Sequence, residues 1–226
     1  MADINLTTTA VIPTQTTLVT TRARLRRELH DEDEATYRWT DDELDAHLQR
    51  ATRELSVALP REHKTTLNTS AGARELSIGV LDGLVRIEAV EYPVGRWPPS
   101  YVQFSSFETT LTLLSDAAPG GSEAVDVFWG SLHTLDDNIS TLPAAAEDVV
   151  LTGAAAYAAI EWASFATNRA NVAGNAAFES YKAWGEERLR HFREALRGFG
   201  RTSRLRNAGL YQPARESARN TVQWPG

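Results

Sequence analysis

Apolar residues recur at helical spacing towards both ends of this chain and at alternate positions through its middle. Leu18, Arg22, Leu25 and Leu29 stand at intervals of four, three and four, so the three leucines make one stripe of a helix. Arg24, Arg26 and Arg27 fall off that stripe, on faces expected to meet water or a partner. A second stripe, Leu44, Leu48, Ala51, Leu55 and Leu59, runs up to Pro60, which lacks an N–H and stops the helix. The start of this helix carries the clearest local signal in the chain. Thr40 is a good N-cap, Glu43 three residues on completes a capping box, and Trp39 can pack on Leu44 as a hydrophobic staple. Asp41 and Asp42 in the first turn suit the positive end of the helix dipole. Trp39, Thr40, Glu43 and Leu44 are therefore read as a structural joint between two helices.

Between residues 64 and 130 the helical period gives way to alternation. Residues 64–69, 75–78, 84–92, 101–104, 110–114 and 124–129 are predicted strands. Turn residues separate them at 70–73, 81–83, 98–100 and 119–122. Helical period resumes near Pro143, which suits a first turn. Gly153 and the alanines at 154–156, 158 and 159 would let another helix approach closely. Residues 171–174 read as a turn. Phe178, Tyr181, Leu189, Phe192 and Leu196 mark a fourth helix predicted to end at Gly198. Arg188, Arg190, Arg193 and Arg197 crowd its last turns.

The fold class expected is α+β. Two N-terminal and two C-terminal helices form a four-helix bundle-like core, with an inserted small antiparallel β-sandwich or barrel and extended terminal arms. The divisions are an N-terminal arm (1–17), a helical domain (18–62 and 137–198), an inserted β-domain (63–136) and a C-terminal arm (199–226).

Composition narrows the function. The chain has no cysteine, so disulfides, thiolate catalysis and Cys-based zinc sites are out. No apolar run approaches the ~18 residues of a membrane span, and the absence of a basic n-region, with Asp3 early, argues against a signal peptide. The net charge of -7 opposes non-specific duplex binding by the whole surface. That charge is unevenly spread: residues 199–226 hold five arginines against Glu216 alone, a net +4, so residues 1–198 carry -11.

No residue set has the pattern of a catalytic or metal site. His30 beside Asp31, Glu32, Asp33 and Glu34 lacks the spacing and glycine turn of an oxygen-ligand loop, and reads as an acidic, solvated corner. His47 and Glu43 share a helix face without the HExxH pattern. His133, Asp136 and Asp137 are not accompanied by a GxSxG elbow. Gly120–Gly121 is a hairpin turn and not a phosphate loop, because no Lys-Ser or Lys-Thr follows. The arginines at 22, 24, 26 and 27 lack the aromatic interleaving of a sequence-specific recognition helix. The aperiodic tail reads instead as an arm that orders on a partner, with Leu205, Leu210, Tyr211, Val222 and Trp224 as apolar anchors among arginines. A disordered end is the alternative.

The run LRRELHDEDEATYRWTDDELDAHLQRATRELS resembles the N-terminal helices of head–tail adaptor proteins, also called connector or head-completion proteins, of long-tailed bacteriophages. AVEYPVGRWPPSYVQF, LTLL, VFWGSLHTLD and the helix pair from AAAEDVVLTGAAAYAAIEWA to YKAWGEERLRHFREAL are similar too. The resemblance covers roughly residues 20–198, and the order of the pieces is more specific than any one of them. It implies a homo-oligomeric ring, usually dodecameric, beneath the portal of a filled capsid. Such a ring extends the channel for packaged DNA, without sequence-specific binding, and receives a tail or stopper protein. The C-terminal arm would insert into the portal protein through Arg201, Arg204, Leu205, Arg206, Leu210, Tyr211, Arg215, Arg219 and Trp224. The expected place is the head–tail interface of the virion, assembled in the host cytoplasm, with no membrane partner, no cofactor, no metal and no enzymatic activity. A tail-completion or stopper protein of the same virion is the alternative; a hydrolase built on His133 and Asp136, or a DNA-binding protein, stands further off.

Overall fold

The structure is a computed structural model and describes residues 16–167 and 175–210. Helix α1 (Leu18–Glu28) opens on Thr17, whose hydroxyl accepts the Thr20 N–H while the Thr20 hydroxyl accepts the Thr17 N–H. This is a capping box closed by two threonines, a form that a Ser/Thr-to-Glu/Gln search passes over. The helix ends in a Schellman arrangement: the His30 N–H bonds the Arg27 carbonyl and the Asp31 N–H the Arg26 carbonyl. His30, at φ 52°, occupies the left-handed position usually given to glycine. Helix α2 (Asp41–Ala58) begins where Thr40 and Glu43 exchange hydrogen bonds, Thr40 N–H to Glu43 Oε2 at 2.7 Å and Glu43 N–H to Thr40 Oγ1 at 3.3 Å. Its stripe of Leu44, Leu48, Ala51 and Leu55 is fully buried.

Six strands follow among the described residues. β1 (Arg61–Asn68), β3 (Leu84–Glu91) and β6 (Ala124–Ser131) form one antiparallel sheet in the order β1-β6-β3. β2 (Glu75–Ser77), β4 (Phe104–Phe107) and β5 (Thr110–Leu113) form a second, in the order β2-β5-β4. Leu76, Leu111 and Leu113 from one sheet meet Val90, Val125, Val127 and Trp129 from the other in a single apolar cluster. Two sheets sharing one core make a sandwich, so the sandwich-or-barrel alternative resolves to the former. The run predicted as a strand at 101–104 is a crossover instead. Tyr101 bridges Glu91 of the first sheet, and pairing with β5 of the second begins only at Phe104.

Helix α3 (Ala144–Thr167) follows Pro143, and α4 (Asn175–Leu210) closes the described chain. The predicted turn at 171–174 and residues 211–226 lie outside the described residues, as does the arm at 1–15. One expectation is overturned: α4 does not end at Gly198 but continues through Gly200 to Leu210. Glycine costs a helix about 1 kcal/mol yet does not break it. The next proline is Pro213, and the residues between are mostly arginine, leucine, alanine and asparagine. Arg201, Arg204, Leu205, Arg206 and Leu210 therefore stand on a helix, not on an extended arm.

The chain divides into two compact units, Met1–Ala51 with Thr134–Arg188 and Thr52–His133 with Leu189–Gly226. In the first, the small residues of α3 do what their size predicts. Ala154, Ala155, Ala156, Ala158 and Ala159 are buried, and Gly185 of α4 lies so close that a Cβ there would stand 3.0 Å from Ile160 and 3.1 Å from Ala159. In the second unit, α2 contributes its buried Leu55 and Ser56, the two sheets form the core above, and Phe192 of α4 is fully buried.

Candidate functional site

The α1–α2 joint is organised around Arg26. This residue was expected on a face that meets water or a partner, and Asp31 in a solvated corner, but they are 6% and 3% exposed. Arg26 Nη1 donates to Asp31 Oδ2 at 2.7 Å, and Nη2 donates to Asp41 Oδ1 at 2.7 Å and to the Trp39 carbonyl at 3.1 Å. The ring of Tyr37 covers the guanidinium at 3.5 Å. Asp31 Oδ1 also accepts the Arg38 N–H at 2.8 Å. The sequence pattern missed this because Arg26 is off the leucine stripe. Its burial comes from residues 31–41 folding back over it, which no helix periodicity encodes. The guanidinium also holds Asp41 below the usual carboxylate range by hydrogen bonding to it.

Trp39 packs among rings of two other helices. It is 4% exposed, and its ring lies 5.6 Å from that of Trp162 on α3 and 6.4 Å from that of Tyr181 on α4. The joint residues Thr40 and Glu43 cap the helix as described above, and Leu44 is buried. Arg22 pairs with Asp45 at 2.5 Å; burial nonetheless outweighs it and raises the Asp45 carboxyl. Arg24 bridges to Glu147 and Asp148 of α3 at 3.1 and 2.6 Å. Three of the arginines grouped as a basic face are thus engaged by acids of their own unit.

The histidines take structural parts. His133 is buried, its Nε2 lies 3.0 Å from the Leu59 carbonyl, and its N–H bonds Ser56 Oγ at 2.9 Å. It is engaged with the C-terminal end of α2. His47 is buried 3.1 Å from Glu161 without hydrogen-bond geometry, and burial lowers its pKa. His63 on β1 meets Ser131 on β6 at 2.8 Å and stacks on Trp129 at 4.5 Å. That Ser–His pair was not visible in sequence, since 68 residues separate them. It joins β1 to β6 as a cross-strand tie, with no carboxylate paired to His63 among the described residues. Asp126 is another tie: burial would raise it, but hydrogen bonds from Lys64 and Thr66 prevail and lower it. Among the described residues no cluster of three or more His, Asp or Glu side chains is arranged to hold a metal ion.

Two surface features of the second unit went unnoticed in the sequence. Trp97, on the loop between β3 and β4, is 92% exposed. A groove of about 840 Å³ runs along α4, lined by Arg190, Arg197 and Arg201 with Arg86 of β3, the carboxylates of Glu54 and Glu194, and the apolar Val57 and Leu196. The spacing of those α4 arginines was legible, but the facing residues come from distant parts of the chain. Of the arm residues, Arg201 is exposed at this groove, while Tyr211, Arg215, Arg219 and Trp224 lie outside the described residues.

No family model and no curated protein matches the chain. Among solved structures it is similar to one described as the neck of an empty GTA particle computed with C6 symmetry, at 15% identity over 72% of this chain and 87% of that one. The TM-score of 0.27 is too low for that likeness to carry fold or function.

Proposed function

We propose that this chain is a structural component of the head–tail joint of a long-tailed bacteriophage, an adaptor that assembles as a ring beneath the portal. The observation that carries the reading is the order of the pieces: a helix pair joined at a capped corner, a two-sheet insert, then a second helix pair. The segments that resemble adaptor proteins fall on those elements in the same order. The engaged His47, His63 and His133 and the Arg26 ties to Asp31 and Asp41 fit an assembly part. The ring extends the channel for packaged DNA and offers a seat to the tail or stopper protein. Its dodecameric number is what the resemblance implies.

The attachment to the portal is assigned to the end of the chain. Because α4 continues to Leu210, a truncation that leaves this helix whole is made after Leu210 and not after Gly198. Negative-stain imaging of portal complexes with and without this protein tests the reading. An added ring layer beneath the portal supports it; a portal unchanged by the protein sinks it. A chain ending at Leu210 is expected to keep its melting temperature and lose the layer.

A further inference from the structure

We infer that the arginine groove along α4 receives the acidic α1–α2 corner of a second copy of this chain, in a head-to-tail contact. The inference rests on the ring reading above and names the two faces that meet. Arg190 and Arg201 stand eleven residues apart on α4 with Arg197 between them, about 16 Å at 1.5 Å per residue, and Arg86, itself paired with Glu88, stands on the same groove. Guanidinia spread over that length cannot converge on one small anion; they match an acidic surface. Glu54 and Glu194 in the groove disfavour a phosphate backbone. They favour a partner that sets a cation among its carboxylates, as Arg38 does in the corner.

The matching face is on the same molecule. From Asp31 to Glu43 there are seven carboxylates and Arg38 as the single cation. Asp31 and Asp41 are held by Arg26, and Glu43 by the N-cap. Glu34 and Asp42 are exposed and engaged in no such tie, and Glu32 faces Arg27 only at 3.9 Å. Beside them Tyr37 keeps 39% exposure, an apolar surface for Val57, which is 61% exposed in the groove. Two different patches that complement each other on one chain generate a heterologous contact, the kind that closes rings. Rim charges of this sort steer and select partners, and salt weakens them.

The experiment uses the full chain without portal. Sedimentation velocity is run at about 0.1 M and about 1 M salt, which shortens the Debye length from about 10 Å to about 3 Å. Wild type is expected to self-associate at the lower salt and to lose about tenfold or more in affinity at the higher. Two variants, Arg197→Glu/Arg201→Glu and Glu34→Lys/Asp42→Lys, are each expected to be monomeric while melting like wild type. Mixed in equal amounts they restore association, since each then offers the face the other has lost. A wild type monomeric at low salt, or a mixture of well-folded variants that stays monomeric, overturns the contact. So does salt-sensitive duplex DNA binding that the groove variant alone abolishes. Charge-dependent self-association stands whether or not a portal is bound, and a portal layer unaffected by either variant sinks the contact but not the adaptor reading.

Discussion

Removing the Arg26 side chain isolates the physics of the joint. In Arg26→Ala, Asp31 stays buried and keeps only the Arg38 N–H as a donor. The Trp39 carbonyl and Asp41 each lose a partner, and the Tyr37 ring loses the guanidinium beneath it. Breaking a buried ion pair from one side costs about 3–5 kcal/mol, because the remaining charge is neither paired nor hydrated. At about 2–4 °C per kcal/mol for a chain of this size, the melting temperature should fall by about 6–20 °C. Far-ultraviolet circular dichroism follows the helices, and the near-ultraviolet signal of the Trp39–Trp162 pair follows the same unit. Arg27→Ala is the internal control. Arg27 and Glu32 are both largely exposed and 3.9 Å apart, so its loss should change stability by no more than about 0.5 kcal/mol. Salt should leave the Arg26 effect nearly intact, since screening acts weakly on buried pairs. In Arg26→Ala/Asp31→Asn both charges are gone, and the double change should cost less than the two single changes together. If Arg26→Ala melts where Arg27→Ala does, the reading of Arg26 as the clamp of the corner is wrong.

Trp39→Ala empties a site shared by rings from three elements, and should lower stability by about 3–5 kcal/mol in urea unfolding; a loss under about 1 kcal/mol would mean the rings repack without it. Gly185→Val should destabilise by about 1–3 kcal/mol through overpacking against Ile160 and Ala159, whereas Gly198→Ala, with nothing within 4 Å of the added carbon, should stabilise by about 0.5–1 kcal/mol. Equal melting shifts for the two would refute the close α3–α4 approach. Burial lowers His47 below its ordinary 6.5, against the pull of Glu161 and Glu43 and with that of Arg50. Below 6.5 the unfolded chain therefore binds a proton that the folded chain refuses, and this part of the stability is lost as pH falls from there towards the folded pKa. Urea midpoints at about pH 7 and about pH 5.5 should differ less in His47→Gln than in wild type. His63, lowered in the same direction, keeps its own share in both proteins. An undiminished difference would show that His47 does not titrate as described.

Local chemistry determined much of this protein from sequence alone. The capping box at Thr40 and Glu43, the leucine stripes, the stop at Pro60 and the alternation of residues 64–130 each act within a few residues of chain. Helix and strand identity could accordingly be read without knowing what packs where. The small residues of α3 likewise announced a close helix neighbour, which proved to be α4 at Gly185. The tertiary structure decided what depends on partners far away in sequence. Arg26 is buried because residues 31–41 fold over it, while Arg27 beside it stays in water. The crossover at 101–104 is not a strand, because each of its ends pairs with a different sheet. Gly198 and Gly200 do not end α4, since a residue permissive of a stop does not impose one. The arginine groove exists only because β3 and the end of α2 face α4. Backbone preference is written residue by residue, but burial, pairing and surface shape are set by contacts that form only when distant segments meet.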